Sequence, residues 1–329
     1  MALNDGLAWY RAGARAASVL PGNVTRALAV GVGGTIGRMP DYDGRRAIAA
    51  SHMARVLGRA VGHQEGRRMA AEVFANYARY WAESLRLPSL TREEIAAGVT
   101  TIGEEHVGAA RAEGRGLVIA SPHLGGWEWG AMYLIGKGVP VTAAVERLEP
   151  AAVFEWLVAF RERLGMHVVP VGPEASAGVL RALHNNEVAC LLSDRLVGQA
   201  SGVEVTFFGE RVKLPAGPVA LALRARAPIL AAGIYYGRAA NAHTIIFRPP
   251  LQLDRGRRFR DAVRDGAQAL AAELEEVIRP APTQWHILQP NWPGDPPLHT
   301  ARSWAATLPW GGHRPALGAG AAGAPAAVP

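Results

Sequence analysis

Beyond residue 115 the chain alternates two hydrophobic rhythms. Short apolar runs at 116–120, 139–145, 167–171, 188–192, 228–236 and 243–248 have the length and composition of strands. Helix-period segments separate them at 151–164, 175–185 and about 215–226. A long helix is expected over 258–279, where Phe259, Val263, Ala267, Leu270, Leu274 and Ile278 follow a 3-4 repeat. Strands alternating with helices predict an α/β fold, a mixed and mostly parallel central sheet flanked by helices. Upstream, 43–86 reads as helical, with His52, Val56, Met69, Val73, Phe74 and Tyr77 among its apolar positions. Its aromatic stripe over 74–81 suits either a core face or the wall of an apolar groove.

Both ends differ from this middle. Residues 3–37 interleave Leu7, Trp9, Tyr10, Val19 and Leu20 with Arg11, Arg15 and Arg26, which predicts one or two short amphipathic helices broken at Pro21-Gly22. Such helices either pack on their own domain or lie in a membrane interface, arginine near phosphates and tryptophan at head-group depth. Past Gly311 the chain is nearly all Gly, Ala and Pro, too poor in large side chains for a core. Three segments are therefore expected: an amphipathic portion over 1–40, a main domain over 41–298, and a disordered tail over 299–329.

Composition narrows the partners. The net charge is +7, and only Lys137 and Lys213 among the 35 basic residues are lysines. An arginine excess beside 38 glycines fits GC-rich coding, and it also fits a surface that meets phosphate, which guanidinium grips with two parallel hydrogen bonds. No nucleic-acid-binding motif is present, so nucleic acid is not an expected partner; anionic lipid head groups and coenzyme A remain. The single cysteine, Cys190, allows no intrachain disulfide and reads as packing in a buried strand. No apolar stretch reaches the roughly 18 residues that span a bilayer, and Arg11 and Arg15 break any signal-peptide core. The expectation is a soluble or peripheral protein on the cytoplasmic face of the membrane. The sequence leaves its oligomeric state open. The run Gly31-Val32-Gly33-Gly34-Thr35-Ile36-Gly37 imitates a dinucleotide-binding loop, but its third glycine falls one place late and Pro40 follows where a helix should continue.

The densest chemistry is Ser121-Pro122-His123-Leu124-Gly125-Gly126-Trp127-Glu128, set where a buried strand should give way to a helix. An imidazole on a glycine-rich turn near a carboxylate can activate a hydroxyl nucleophile. The spacing alone is weak, because ten histidines and 28 acids predict about one His-x4-acid pair by chance. His123 and Glu128 form the one such pair in the sequence. In an unbroken helix they would lie off one another's face, so Gly125 and Gly126 must interrupt regularity if the two are to cooperate.

Four blocks together carry a resemblance. They are 121–128; Ala144-Val145-Glu146-Arg147-Leu148 with 160–166 downstream; Leu192-Ser193-Asp194-Arg195 continuing through 202–210 to Pro218; and Trp285-His286-Ile287-Leu288-Gln289-Pro290-Asn291-Trp292. Across roughly 5–295 the chain resembles the bacterial lipid A biosynthesis acyltransferase superfamily, and within it the actinobacterial phosphatidylinositol mannoside acyltransferases. The resemblance implies acyl transfer from acyl-CoA or acyl carrier protein to a hydroxyl of a membrane glycolipid, with no separate cofactor or metal. His123 is then the general base, acting without an acyl-enzyme. Two carboxylates compete to orient it, Glu128 and Glu204. Glu204 is favoured, because the mannoside branch often carries Asp where this chain has the longer Glu128, which then shapes the turn. Arg161 and Arg195 are candidates for phosphate or thioester contacts, and Glu146 for steadying Arg161 or touching sugar hydroxyls. Phe207 and Phe208 are expected in the core or beside an acyl chain. Another acceptor, of lipid A or lysophospholipid type, and a non-catalytic lipid-binding role remain alternatives. A serine esterase is disfavoured, since no Gly-x-Ser-x-Gly occurs.

Overall fold

The computed structural model describes residues 5–172, 174–197 and 201–298; the tail expected over 299–329 lies outside them. Four helices come first: α1 (Asp5–Val19), α2 (Gly22–Ile36), α3 (Asp43–Leu57) and α4 (His63–Arg86). The helical reading of 43–86 thus divides at residues 58–62, where Gly58 adopts a left-handed conformation that closes α3. The amphipathic N-terminus breaks at Pro21, as its pattern predicts. The glycine run that imitates a nucleotide loop forms the end of α2, with Gly37 as its C-cap. A Cβ on Gly33 would stand 2.6 Å from the Ala78 Cβ and 2.6 Å from the Phe74 carbonyl, so glycine is what lets α2 approach α4.

The α/β portion follows as α5 (Arg92–Ala97), β1 (Val99–Ile102), α6 (Glu104–Ala112), β2 (Leu117–Ser121), α7 (Trp127–Gly136), β3 (Val141–Val145), α8 (Ala151–Arg163), β4 (His167–Pro170), α9 (Ala175–His184) and β5 (Val188–Leu192). Next come β6 (Gly202–Phe207), β7 (Glu210–Pro215), α10 (Gly217–Ala225), β8 (Ile229–Tyr236), β9 (His243–Phe247) and α11 (Phe259–Ile278). Seven strands form one sheet in the order β1-β9-β8-β2-β5-β3-β4. Neighbours are parallel except β8 and β9. Strands buried on both faces explain the unbroken apolar runs of β2 and β8, every residue of which is buried. The amphipathic α11 buries Val263, Ala267, Leu270, Leu274 and Ile278; Phe259, at the head of the repeat, is exposed.

Two features place the site. In the parallel β2–β5 pair, Ser121 stands opposite Leu192. Two residues further on, His123 and Asp194 leave the carboxyl ends of the strands side by side, where open α/β sheets place their chemistry. The second feature is a strap of residues 284–295. Trp285 bridges to Leu124, and the N–H of Gly125 donates to the Gln284 carbonyl at 3.1 Å. Asp295 anchors the far end. Its fully buried carboxylate accepts from His52 at 3.0 Å, Ser51 at 3.2 Å, Arg55 at 2.7 Å and the N–H groups of Asn291 and Trp292.

Gly125 is the residue in this region least able to change. Its φ is +58°, and an added Cβ would meet the Ile234 carbonyl oxygen at 1.9 Å. Gly125→Ala is expected to destabilise the protein by about 2 kcal/mol or more, lowering Tm by about 3 °C or more in thermal unfolding. An unchanged Tm would show that the turn accommodates a side chain.

Candidate active site

At the end of β2 the chain turns through Pro122 and projects His123, whose side chain is 23% exposed. Its Nδ1 lies 2.7 Å from Asp194 Oδ1, and its backbone N–H donates to Asp194 Oδ2 at 2.7 Å. Trp285 Nε1 donates to the same Oδ2 at 2.7 Å, and Asn291 Nδ2 to the Asp194 carbonyl at 2.9 Å. Asp194 itself is fully buried. Burial alone would raise its carboxyl, but its electrostatic interaction with the adjacent imidazole and the hydrogen bonds from His123 and Trp285 outweigh it and hold the group below the usual carboxylate range. An ionised carboxylate only accepts, so Nδ1 carries the imidazole proton and Nε2 offers the lone pair.

This pairing corrects the expectation for Glu204. Residues Val203, Val205 and Phe207 of β6 turn inward or half inward, so Glu204 faces solvent and pairs with Arg211 across the β6–β7 hairpin. Glu128 is not the partner either. It is buried in the first turn of α7, where it accepts from Tyr80 Oη at 2.8 Å, Ser84 Oγ at 3.2 Å and Arg161 at 2.9 Å. Burial and then the Glu128 charge push the Tyr80 phenol well above its ordinary range, which keeps it a donor. Burial alone would weaken the Arg161 charge, but Glu128 and Tyr80 more than restore it. Glu128 therefore ties α4, α7 and α8 together behind the turn.

The other expected residues face one cavity of about 240 Å³. His123, Glu146, Arg161 and Arg195 line it, and Glu146 pairs with Arg195. Its apolar walls include Ile119 of β2, Leu134 of α7, Ile234 of β8, and Ile245 and Phe247 of β9. Tyr77, Tyr80 and Trp81 of the aromatic stripe also line it, and Tyr10 of α1 reaches in from the N-terminal helix. Phe207 and Phe208 do not line it; they pack against Trp285 and Trp292 under the strap. Cys190 contributes to the wall, half-buried, and burial pushes its thiol up to about 12, so it packs without nucleophilic character.

Sequence reasoning missed Asp194 as a partner although its place after a strand was visible, because the β2–β5 register is not local information. It also passed over His286, described below.

A buried carboxylate holding one imidazole nitrogen, with the other left for a proton beside an apolar cavity, is an arrangement for activating a hydroxyl. A family model described as bacterial lipid A biosynthesis acyltransferase matches residues 3–293. The chain belongs to that family. It is an acyltransferase, and the four sequence blocks that resemble the family lie within the matched region. The chain is 32% identical over 289 residues to a phosphatidylinositol mannoside acyltransferase of Mycolicibacterium smegmatis, covering 87% of this chain and 91% of the relative. It is 34% identical over 250 residues to one of Mycobacterium tuberculosis, covering 74% and 76%. A lipid A biosynthesis acyltransferase of Haemophilus influenzae is 26% identical over 189 residues, 56% of each chain.

Proposed function

We propose that this acyltransferase moves a fatty acyl chain from a thioester, acyl-CoA or acyl carrier protein, to a mannose hydroxyl of phosphatidylinositol mannoside. The acceptor class rests on the names of the mycobacterial relatives. The observation that carries the chemistry is His123, held through Nδ1 by the buried Asp194 at the wall of an apolar cavity. In this reading the acyl chain lies along Leu134, Ile234, Ile245 and Phe247, with the thioester at His123. Nε2 takes the hydroxyl proton as the oxygen attacks the thioester carbonyl. The tetrahedral intermediate collapses with loss of the C–S bond, and the imidazolium returns its proton to the departing thiolate. Asp194 stabilises the imidazolium, and no acyl-enzyme forms. Glu146, paired with Arg195 at the cavity, is assigned to acceptor hydroxyls. Arg195 and Arg161 are assigned to phosphate or thioester oxygens.

The acceptor is a membrane lipid, and the surface of α1 and α2 suits contact with one. Their inner faces pack on α4 and bury Tyr10 and Ala17, while Trp9 is 62%, Val19 82%, Leu28 55% and Val32 52% exposed. Arg11 and Arg15 are exposed beside them. No helix among the described residues is long and apolar enough to cross a membrane. The reading is of peripheral docking on the cytoplasmic face by these two helices. Trp9→Glu combined with Leu28→Glu is expected to lower partitioning onto vesicles of phosphatidylinositol and phosphatidylglycerol at least about tenfold, since each large apolar side chain contributes about 1.5 kcal/mol or more when buried. Equal flotation of variant and wild type would remove α1 and α2 from the docking surface.

The cellular test is lipid mass spectrometry on cells lacking this protein. The expected result is phosphatidylinositol mannoside short by one acyl chain. An unchanged mannoside profile with another lipid under-acylated would replace the acceptor and leave the chemistry standing.

A further inference from the structure

We propose that His286 is a positioning residue for the catalytic turn, acting by donating its Nε2–H to the Gly125 carbonyl. The proposal rests on the reading of His123 as the base.

His286 is buried beside the turn it contacts, and it also lines the cavity. Its backbone N–H donates to the His123 carbonyl at 3.0 Å, and its Nε2 lies 3.1 Å from the Gly125 carbonyl oxygen. A carbonyl only accepts, so Nε2 carries the proton and the tautomer is assigned. One residue therefore grips the turn on both sides of Leu124, at His123 and at Gly125. The following peptide, Gly126-Trp127, opens α7. If the turn relaxes, His123 Nε2 shifts against the cavity while Nδ1 stays tethered to Asp194.

The site also explains why the donor is an imidazole. The ring packs with its centroid 5.1 Å from those of both Tyr77 and Tyr80, so a flat side chain fills the space beside Gly125. Burial lowers the His286 imidazole to about 4, so it stays neutral near pH 7. A neutral donor holds the turn without setting a second positive charge beside the imidazolium that forms on His123. The neighbouring strap residue Trp285 holds Asp194 in the same way, so 285 and 286 fix the two halves of the pair from one short segment.

Two substitutions separate the hydrogen bond from the packing. His286→Phe keeps a ring between Tyr77 and Tyr80 but removes the donor. His286→Gln loses the ring but places an amide N–H near the Nε2 position. Steady-state acyl transfer from acyl-CoA to phosphatidylinositol mannoside, with Tm measured on each protein and His123→Ala run in parallel, gives the readout. The expected order is Gln above Phe: kcat falls about 10- to 100-fold in His286→Phe with KM for acyl-CoA nearly unchanged, and stays within about threefold of wild type in His286→Gln. Phe equal to or above Gln, or an effect confined to KM, overturns the proposal. Should His286→Phe fail to fold, the glutamine variant decides: near-wild-type kcat supports the role, and a folded variant slowed tenfold or more overturns it. Near-wild-type activity in His123→Ala instead overturns the base assignment itself, a different result from a failed Gln–Phe order with His123→Ala slowed about 100-fold or more.

Discussion

His123→Ala is expected to lower kcat for acyl transfer about 10²- to 10⁴-fold, the range a positioned general base supplies. The side chain is partly exposed at the cavity wall, and its tether to Asp194 is the hydrogen bond at Nδ1. Removing it leaves the apolar walls untouched, so KM for acyl-CoA should change little and Tm by only a few degrees. A proportional rise in KM at constant kcat would instead assign His123 to binding. On the proposed mechanism the apolar walls would remain, and what would disappear is the acceptor for the hydroxyl proton.

Asp194→Asn should cost nearly as much, about 10³-fold in kcat, for a different reason. All the side-chain contacts of Asp194 come from donors: His123 Nδ1, the His123 N–H and Trp285 Nε1. An asparagine must turn an NH₂ toward one of those donors. If it faces Nδ1, the imidazole proton moves to Nε2 and the base loses its lone pair toward substrate. If it faces the other side, it opposes two N–H groups in a fully buried site, where each lost hydrogen bond costs about 1–3 kcal/mol. Either way activity falls, and the second way also lowers Tm. Glu204→Gln is the control: on the exposed hairpin and paired with Arg211, it should leave kcat within about twofold of wild type. Loss in Glu204→Gln with activity retained in Asp194→Asn would reverse the assignment of the partner.

These two carboxylates show where sequence reading works and where it stops. Strands β2, β5 and β8 were legible because burial on both faces writes itself as an apolar run. Helix α11 was legible because its 3-4 repeat is long. Strand β1 and helices α5 and α6 were not, being short and weakly patterned, with Ile95, Val107 and Ala110 as their buried side chains. The β6–β7 hairpin carried its own signal, since Val203, Val205 and Phe207 alternate with Glu204 and Thr206 around a turn at Phe208-Gly209. Period two alone puts Glu204 outside whenever Val205 and Phe207 are inside. Asp194 is another matter. Its approach to His123 depends on β2 pairing with β5 in a register that sets Ser121 against Leu192, across about 70 residues of chain. No local pattern encodes that pairing.

Glu128 had the opposite fate. The spacing that drew attention to it is real, but five residues past His123 it points back into the helical layer, toward Tyr80, Ser84 and Arg161. The signature acid supports the turn from behind, while the residue opposite the turn completes the pair.

The most direct test of the central claim is one stoichiometry. Purified protein is given acyl-CoA and phosphatidylinositol mannoside, and free thiol and lipid mass are followed together. The expected result is one acylated glycolipid for each thiol released in the wild type, with both products forming about 100-fold more slowly or worse in His123→Ala. Thiol release matched by free fatty acid would make the protein a thioesterase, and undiminished glycolipid acylation by His123→Ala would contradict the general-base claim outright.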